Sequence, residues 1–237
     1  MDDTRKDPWF VKWLLMASAL TVFLAYSTWT VFQGKGYIAG PYRSPFYPFD
    51  FTVGNLSPAF FVFWMPVLFR LTCYYWRKTY YRSYLLDPAA CAVPELKRNY
   101  TGETLFPFIL QNFHRYFVVL ALILLTFHWK ETFASFFYQG SFGVGVGNVI
   151  LLCDSVFLTI YVLSCHALRN FLGGNINKFS CSHCGQARYQ AWNIISILNE
   201  RHGLWAWISL VSIIIADMYV RLLARGVIVD LNTWKKF

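Results

Sequence analysis

Five long apolar stretches with few or no charged residues restrict what this sequence can fold into. Twenty-two uncharged residues separate Lys12 from Lys35, and nineteen separate Asp50 from Arg70. A helix of about 20 apolar residues crosses the hydrocarbon core of a bilayer. We therefore expect an all-α membrane protein that forms a single bundle of five transmembrane helices. The predicted spans are residues 12–33, 51–70, 107–129, 147–171 and 202–223.

The remaining residues cannot form a separate soluble domain. Only 14% of the 237 residues are charged, whereas soluble domains carry about 25%. The loops between the spans reach about 25 to 30 residues, and an independent domain needs ~50. The chain therefore has no room for a flavin or dinucleotide domain, and a partner must supply any soluble chemistry.

The basic residues outside the spans predict how the bundle is oriented. With the N-terminus inside, the inner side collects most Lys and Arg residues, and the outer loops hold only Lys35, Arg43 and Lys130, although the basic C-terminal tail is also outside. Positive residues concentrate on the cytoplasmic side of membrane proteins. We expect a protein of the bacterial cytoplasmic membrane with a cytoplasmic N-terminus. The net charge of +9 then reflects this asymmetry and attraction to anionic lipids, not nucleic acid binding.

Histidines and cysteines gather at one predicted depth, close to the inner face. At 1.5 Å per residue, His114 lies about 10 Å into the third span. Polar groups are costly in lipid and tend to be functional, and thiolate and imidazole groups are good transition-metal ligands. We therefore predict a metal centre, with hydrogen-bonded packing residues as the alternative. The candidate ligands are Cys73, Cys91, His114, Cys165, His166 and His202.

Two cysteines and two histidines form the ligand set of a Rieske-type [2Fe-2S] cluster. Such a cluster can pass electrons to a quinone. One ligand from each of four helices would come from Cys73, His114, Cys165 and His202. His166 and Cys91 stay open as substitutes, although Cys165 and His166 point about 100° apart on a helix and are not both expected to be ligands.

A haem b is the alternative cofactor. His114 and His128 are fourteen residues apart, which is about 21 Å along a helix. Helices that hold two stacked haems carry such pairs, but no other span repeats the pattern. One haem between His114 and either His166 or His202 stays open.

The segment from Cys181 to Cys184 has the spacing of a metal-binding knuckle. It supplies only half of a zinc or iron site, because no second pair with this spacing occurs. A structural role, a surface metal and an alternative cysteine pair for the membrane cluster therefore stay open. The Gly143 to Gly147 run is interpreted as a flexible or closely packed start of the fourth span, because it lacks the strand of a nucleotide loop.

Two carboxylates, Asp154 and Asp217, lie inside predicted spans. Their ordinary role is a neutral or paired group that faces the bundle, and the functional alternative is a proton path to or from a quinone. A non-redox scaffold or proton transporter is therefore a second hypothesis for the whole chain. It predicts no bound iron.

A bound quinone needs an apolar slot with a few hydrogen-bond donors. The aromatic and basic segment from Tyr74 to Tyr84 could provide one. We predict quinone contacts from Trp76, Arg77, Tyr80 and the nearby Tyr116.

Several sequence strings resemble one known family. The chain is similar, from about residue 13 to residue 226, to the transmembrane subunit of the actinobacterial-type succinate dehydrogenases, a cytochrome b-like anchor of respiratory complex II. The resemblance rests on strings that match in order and at matching intervals. These are RLTCYYWRKTYYR (70–82), DPAACAV (87–93), YTGET (100–104), QNFHRY (111–116), LSCH (163–166) and LNERH (198–202).

This resemblance implies a five-helix anchor that binds an iron-sulfur subunit and a flavoprotein subunit. FAD and further iron-sulfur clusters would lie on those partners, and electrons from succinate would pass to a quinone. The family also implies a Rieske-type cluster in place of haem, held among the six candidate ligands. The chain departs from the family pattern at Leu168, where relatives carry a second cysteine, and at the Cys181 to Cys184 knuckle. Assembly of the complex into a higher oligomer is compatible with these features.

Overall fold

A computed structural model describes residues 7–49, 57–86, 104–106, 108–174, 176–181 and 183–234, apart from the side chain of Cys181. The candidate ligand Cys91 lies outside the described residues.

Helices account for most of the described chain, as the all-α prediction requires. Four helical segments are long and apolar enough to cross a membrane, and a bent helix pair brings the number to as many as five. A π-helical turn (Tyr81–Leu85) continues α3, and 3-10 turns (Phe108–Phe113 and Phe179–Cys181) precede α4 and α7. The α-helices are α1 (Trp9–Phe32), α2 (Pro58–Thr72), α3 (Tyr74–Tyr80), α4 (His114–Ala134), α5 (Val146–Leu163), α6 (His166–Gly173), α7 (Gly185–Glu200) and α8 (His202–Ala224).

Two antiparallel β-hairpins lie at the same end of the bundle, after α1 and after α4. We call this the hairpin end, and we call the opposite end, where α4 and α8 begin with His114 and His202, the histidine end. The strands are β1 (Ile38–Ala39) with β2 (Tyr42–Arg43), and β3 (Phe137–Tyr138) with β4 (Ser141–Phe142).

The chain changes direction at Cys73, just beyond the second predicted span, and at Cys165, inside the fourth. α2 ends at Thr72, and the helix that follows Cys73 runs at 78° to it. α5 ends at Leu163, well before residue 171, where the predicted span ends. Cys73 and Cys165 have almost the same extended backbone, with ψ of 132° and 133°. Hydropathy records the length of an apolar stretch and not its direction, so it did not reveal either bend.

α7 lies at the histidine end, and the sequence did not predict it. It packs on α6 and α5. Asn199 lies in the last turn of α7, and its side chain donates to the carbonyl oxygen of Ser164 at 2.7 Å. Only Arg201 separates α7 from α8.

Tyr42 anchors the hairpin end. Its side chain is completely buried, and its hydroxyl donates to Asp230 at 2.6 Å. Burial, with help from the Asp230 carboxylate, raises the pKa of Tyr42 well above its usual range, so the phenol remains a donor. The glycine run lets this ring fit, because a Cβ on Gly147 would lie 2.6 Å from it. The interpretation as a closely packed helix start therefore holds.

A Gly147→Val substitution should destabilise the protein. The added side chain would displace the Tyr42 ring and its hydrogen bonds, and overpacking of this kind costs about 1 to 3 kcal/mol. Thermal unfolding of the purified protein measures the loss. Val146→Leu, on the exposed neighbouring residue, is the matched control, and an equal midpoint for both variants would contradict the packing argument.

Candidate metal centre and apolar cavity

Four of the predicted ligands meet at the histidine end as two thiol and imidazole pairs. His114 Nε2 lies 3.1 Å from the Sγ atom of Cys165. His202 Nε2 lies 3.5 Å from the Sγ atom of Cys73. Both cysteines are buried, and so is His202. Each pair joins two helices, so the two pairs link α2, α4, α5 and α8.

The two helix breaks fix the positions of the thiols. Cys73 precedes α3, and Cys165 precedes α6. The backbone N–H groups of Tyr75 and Trp76 point at the Cys73 sulfur, and those of Ala167 and Leu168 point at the Cys165 sulfur. The free amides of a helix start stabilise negative charge. These amides therefore offset part of the cost of burying a thiolate at either sulfur.

A hydroxyl group holds the outer nitrogen of each imidazole. Thr72 Oγ1 lies 2.9 Å from His114 Nδ1, and Ser164 Oγ lies 2.7 Å from His202 Nδ1. Such contacts fix the ring orientation and the tautomer of a metal-binding histidine. The hydroxyl contact at Nδ1 therefore keeps the Nε2 atom of each imidazole facing a thiol.

Aromatic rings cover the same two imidazoles. The Phe69 ring stacks on His114 with centroids 5.0 Å apart, and the Tyr161 ring stacks on His202 at 5.2 Å. The Tyr161 hydroxyl accepts a hydrogen bond from Trp76 Nε1 at 3.0 Å. In both halves of the site, therefore, an aromatic ring covers the imidazole, a hydroxyl group contacts its Nδ1 atom and a thiol faces its Nε2 atom.

This likeness is also visible in the sequence. Residues 69–77 read FRLTCYYWR, and residues 161–169 read YVLSCHALR. Both segments contain an aromatic residue, then leucine, a hydroxyl residue, cysteine and, four positions later, arginine. The repeat is only nine residues long and too short for detection by period. It identifies the supporting residues Phe69, Thr72, Tyr161 and Ser164.

Arg70 is a second residue that the sequence analysis missed. It is buried, and its guanidinium lies 4.6 Å from the centroid of the Tyr161 ring. It donates to the carbonyl oxygen of Ala206 at 3.4 Å and to the hydroxyl of Ser209 at 3.3 Å. No carboxylate in the described part of the chain lies within ion-pair distance of it. A buried cation beside the centre thus has only neutral partners.

The other predicted ligands lie apart from the two pairs. His166 is exposed at the start of α6, although it lines the same open hollow as the four residues. Cys184 is exposed and precedes α7 with a φ of 55°. The side chain of Cys181 and all of Cys91 lie outside the described residues.

The residues predicted to bind quinone do not share a cavity. Trp76 is buried against Tyr161, and Tyr116 is 59% exposed. Tyr80 accepts from Gln111 Nε2 at 2.5 Å, and Arg77 donates to the Gln111 side chain at 3.3 Å. These contacts fasten the segment after the first helix break to the turn before α4.

A small apolar cavity of about 80 Å³ lies deeper in the bundle, on the hairpin side of the two pairs. Residues from α2, α4, α5 and α8 line it, and the loop residues Pro45, Phe46 and Pro48 border its hairpin end. Phe69 and Tyr161, the two rings that cover the imidazoles, line it as well. Its volume is well below the range of about 300 to 1,000 Å³ for ligand pockets.

The two buried carboxylates have different surroundings. Asp154 accepts from Ser212 Oγ at 2.6 Å, and its other oxygen lies 3.1 Å from His128 Nε2. Asp217 pairs with Arg221 at 2.7 Å and also accepts from Tyr26 and Ser44. This dense network makes Asp217 a structural ion pair. Only Asp154 stands next to a group that lines the cavity.

The fold and this site define a class, which is a helical membrane protein with two thiol and imidazole pairs at one end of its bundle. The sequence profile of the actinobacterial succinate dehydrogenase subunit SdhC matches residues 11–226. The chain belongs to this family and is part of a succinate dehydrogenase enzyme, as the resemblance implied. No curated protein sequence matches it.

A solved structure agrees with this assignment. A chain of the Mycobacterium smegmatis Sdh1 complex in the apo form is 37% identical to this chain, with a TM-score of 0.89. The match covers 98% of this chain and 93% of the other. The succinate dehydrogenase context implies partner subunits.

An Asp217→Leu substitution should strongly destabilise the bundle, because it leaves Arg221 buried without its anion. Loss of one partner of a buried ion pair costs about 3 to 5 kcal/mol. The double variant Asp217→Leu with Arg221→Met should recover much of that loss. Thermal unfolding of detergent-solubilised protein distinguishes the variants, and a double variant no more stable than the single one would contradict the pairing.

Proposed function

We propose that the chain is the membrane anchor and electron-transfer subunit of a succinate:quinone oxidoreductase. Electrons would pass from an iron-sulfur subunit through a [2Fe-2S] cluster in this chain to a quinone. FAD and further clusters would lie on the flavoprotein and iron-sulfur partners, on the cytoplasmic side of the bacterial membrane. The observation that carries the proposal is the meeting of Cys73, His114, Cys165 and His202 from four helices.

The donor set fits a two-iron cluster better than a single ion. Among the described residues, no group of three or more His, Cys, Asp or Glu side chains could hold one metal ion. The four donors instead form two pairs of one thiol and one imidazole, and a Rieske-type cluster would regroup them, because it has both imidazoles on one iron and both thiolates on the other. Two thiolates and two imidazoles are the Rieske-type ligand set, which raises the reduction potential above that of an all-cysteine cluster.

The chain's own residues prepare the centre for this cofactor. Thr72 and Ser164 keep the histidine nitrogens aimed at the thiols. Phe69 and Tyr161 keep water from the imidazole faces. Arg70 adds a positive charge beside Cys73, and a nearby cation stabilises an added electron.

An open hollow at the histidine end provides a docking surface for the iron-sulfur subunit. The two ligand pairs lie among the residues that line it. Its charged lining is mainly basic, with Glu200 as the single acidic residue among the described ones. The basic residues are Arg77, Lys78, Arg115, Arg188 and Arg201. A partner bound here would bring its own cluster close to the four ligands.

Haem b and non-redox transport are less well supported. A haem between His114 and His202 would have to displace the two thiols that these rings contact. A proton transporter would need mobile carboxylates, but Asp217 is held by Arg221. Neither alternative explains why two similar helix breaks aim thiols at histidines.

Replacement of one ligand tests the cluster. In the purified complex, Cys165→Ser should abolish a Rieske-like EPR signal and lower the iron content by one cluster. Cys153→Ser, which removes an exposed thiol of α5, should keep both. A haem b optical spectrum in the wild-type complex, or an unchanged EPR signal in Cys165→Ser, would refute the cluster.

The hydroxyl groups behind the imidazoles should matter as well. Loss of such a contact costs about 10- to 100-fold in metal affinity or activity. Ser164→Ala should therefore lower cluster occupancy and shift its EPR spectrum, and Ser164→Thr should restore both. An unchanged spectrum and occupancy in Ser164→Ala would show that the contact with His202 does not support the cluster.

A further inference from the structure

We infer that Lys12, Trp13 and Arg82, at the start of α1, form a binding site for the headgroup of one anionic phospholipid. The site lies at the histidine end but beside the open hollow, because none of its three residues is among the described residues that line that hollow. Lipid binding here requires neither the cluster nor a quinone, so it goes beyond the proposed function.

Two positive side chains from separate parts of the chain meet at the ring of Trp13. The Nζ atom of Lys12 lies 5.4 Å from the centroid of this ring, and the guanidinium carbon of Arg82 lies 5.6 Å from it. A cation is attracted to an aromatic face within about 6 Å of its centroid. Lys12 belongs to α1, and Arg82 belongs to the π-helical turn that continues α3. The ring therefore gathers two like charges, which repel each other.

Neither of these cations has an anionic partner in the described part of the chain. The ion pairs found there involve other cations. Lys12 is exposed, and Arg82 is half-buried. A guanidinium binds phosphate oxygens through parallel N–H bonds, and an ammonium binds them as a point charge. One phosphate group can therefore pair with both side chains and reduce their repulsion.

The surface beside the two cations is apolar and faces away from the bundle. Leu14 and Leu15, which follow Trp13, are 60% and 65% exposed. Tryptophan is enriched at the boundary between membrane and water, where its ring lies at the level of the headgroups. A phospholipid with its phosphate at this boundary places its acyl chains along the exposed leucines, whereas free phosphate gains nothing from them. The combination of cations and apolar surface fits a lipid.

The start of α1 has few other contacts that could hold it. α1 is the least buried of the four long apolar helices, with 6% of its most apolar stretch buried, against 44% for α8. The buried residues of α1 are Ser27, Thr30 and Val31, which all lie near the hairpin end. The opposite end of α1 is therefore the part of the helix that gains most from a bound lipid.

The lipid joins α1 to the segment that follows the first helix break. This segment already contacts α1, because the Tyr84 hydroxyl donates to the carbonyl oxygen of Ala17 at 2.8 Å and lies 2.7 Å from the Thr21 hydroxyl. Arg82 belongs to the same segment. A phosphate group held by Arg82 and Lys12 adds a second link, closer to the start of α1.

The other end of α1 offers an internal comparison. Trp29 also has two guanidinium groups near its ring, those of Arg221 and Arg225, each 5.6 Å from the centroid. Arg221, however, is buried and paired with Asp217. Arg225 is therefore the one cation of this pair that can accept a lipid phosphate. We expect no tight lipid binding there.

Phosphatidylglycerol and phosphatidylcholine with the same acyl chains test the site in the purified, delipidated complex. Native mass spectrometry should show tighter binding of phosphatidylglycerol, by about tenfold or more, because each Lys or Arg near an anionic lipid contributes roughly fivefold. The double variant Lys12→Gln with Arg82→Gln should lose this preference. Lys12→Arg with Arg82→Lys, which exchanges the two cations, should keep it, and so should the matched control Arg225→Gln.

Thermal unfolding provides a second measurement on the same samples. Phosphatidylglycerol should raise the unfolding midpoint of the wild-type complex but not that of the double glutamine variant, and an equal rise in both would contradict the site. Equal binding of the two lipids by the wild type, or an unchanged preference in the glutamine variant, would overturn it. Displacement of phosphatidylglycerol by inorganic phosphate would also overturn it, since that result indicates a site for a free anion.

Discussion

The need to satisfy backbone hydrogen bonds in lipid governs this structure. A chain can cross the hydrocarbon only as a continuous helix, unless other groups of the protein satisfy a break. Both breaks occur at cysteines near the histidine end, and the amides that each break frees point at a sulfur atom. Each break therefore provides a sulfur acceptor for the N–H groups that it frees, and it also positions a thiol.

The rest of the centre follows from these two breaks. The hydroxyl residue just before each cysteine reaches an imidazole, and the aromatic residue one helical turn earlier stacks on the same ring. Each imidazole contacts the thiol of the opposite half, since His114 faces Cys165 and His202 faces Cys73. Neither half could form the site alone, so the centre also couples the four helices.

The sequence was sufficient for the helical class, because charge depletion marks the membrane spans. It was also sufficient to place the four main candidate ligands near one another, because the rise per residue gives the depth of each residue in its span. It was not sufficient for the bends at Cys73 and Cys165, because apolar length is the same for a straight and a bent segment. α7 was missed because its exposed side chains are partly apolar, among them Ile194 and Ile197, and give no clear amphipathic pattern. Asp217 and Arg221 are four residues apart on α8, so the sequence contains their pairing, whereas the contacts of Asp217 with Tyr26 and Ser44 appear only in the folded bundle.

Arg70 provides an electrostatic argument for an anionic centre that is independent of any relative. A cation buried in an apolar bundle needs a negative counter-charge, and none of the described carboxylates lies within ion-pair distance of it. The nearby thiols supply that charge when they are deprotonated, as cluster ligands must be. With neutral thiols, Arg70 would keep only a carbonyl, a hydroxyl and an aromatic face as partners. The same guanidinium also lines the apolar cavity, so in the proposed function its charge would stabilise an added electron at the centre and lower the cost of negative charge on the cavity side of the Tyr161 ring.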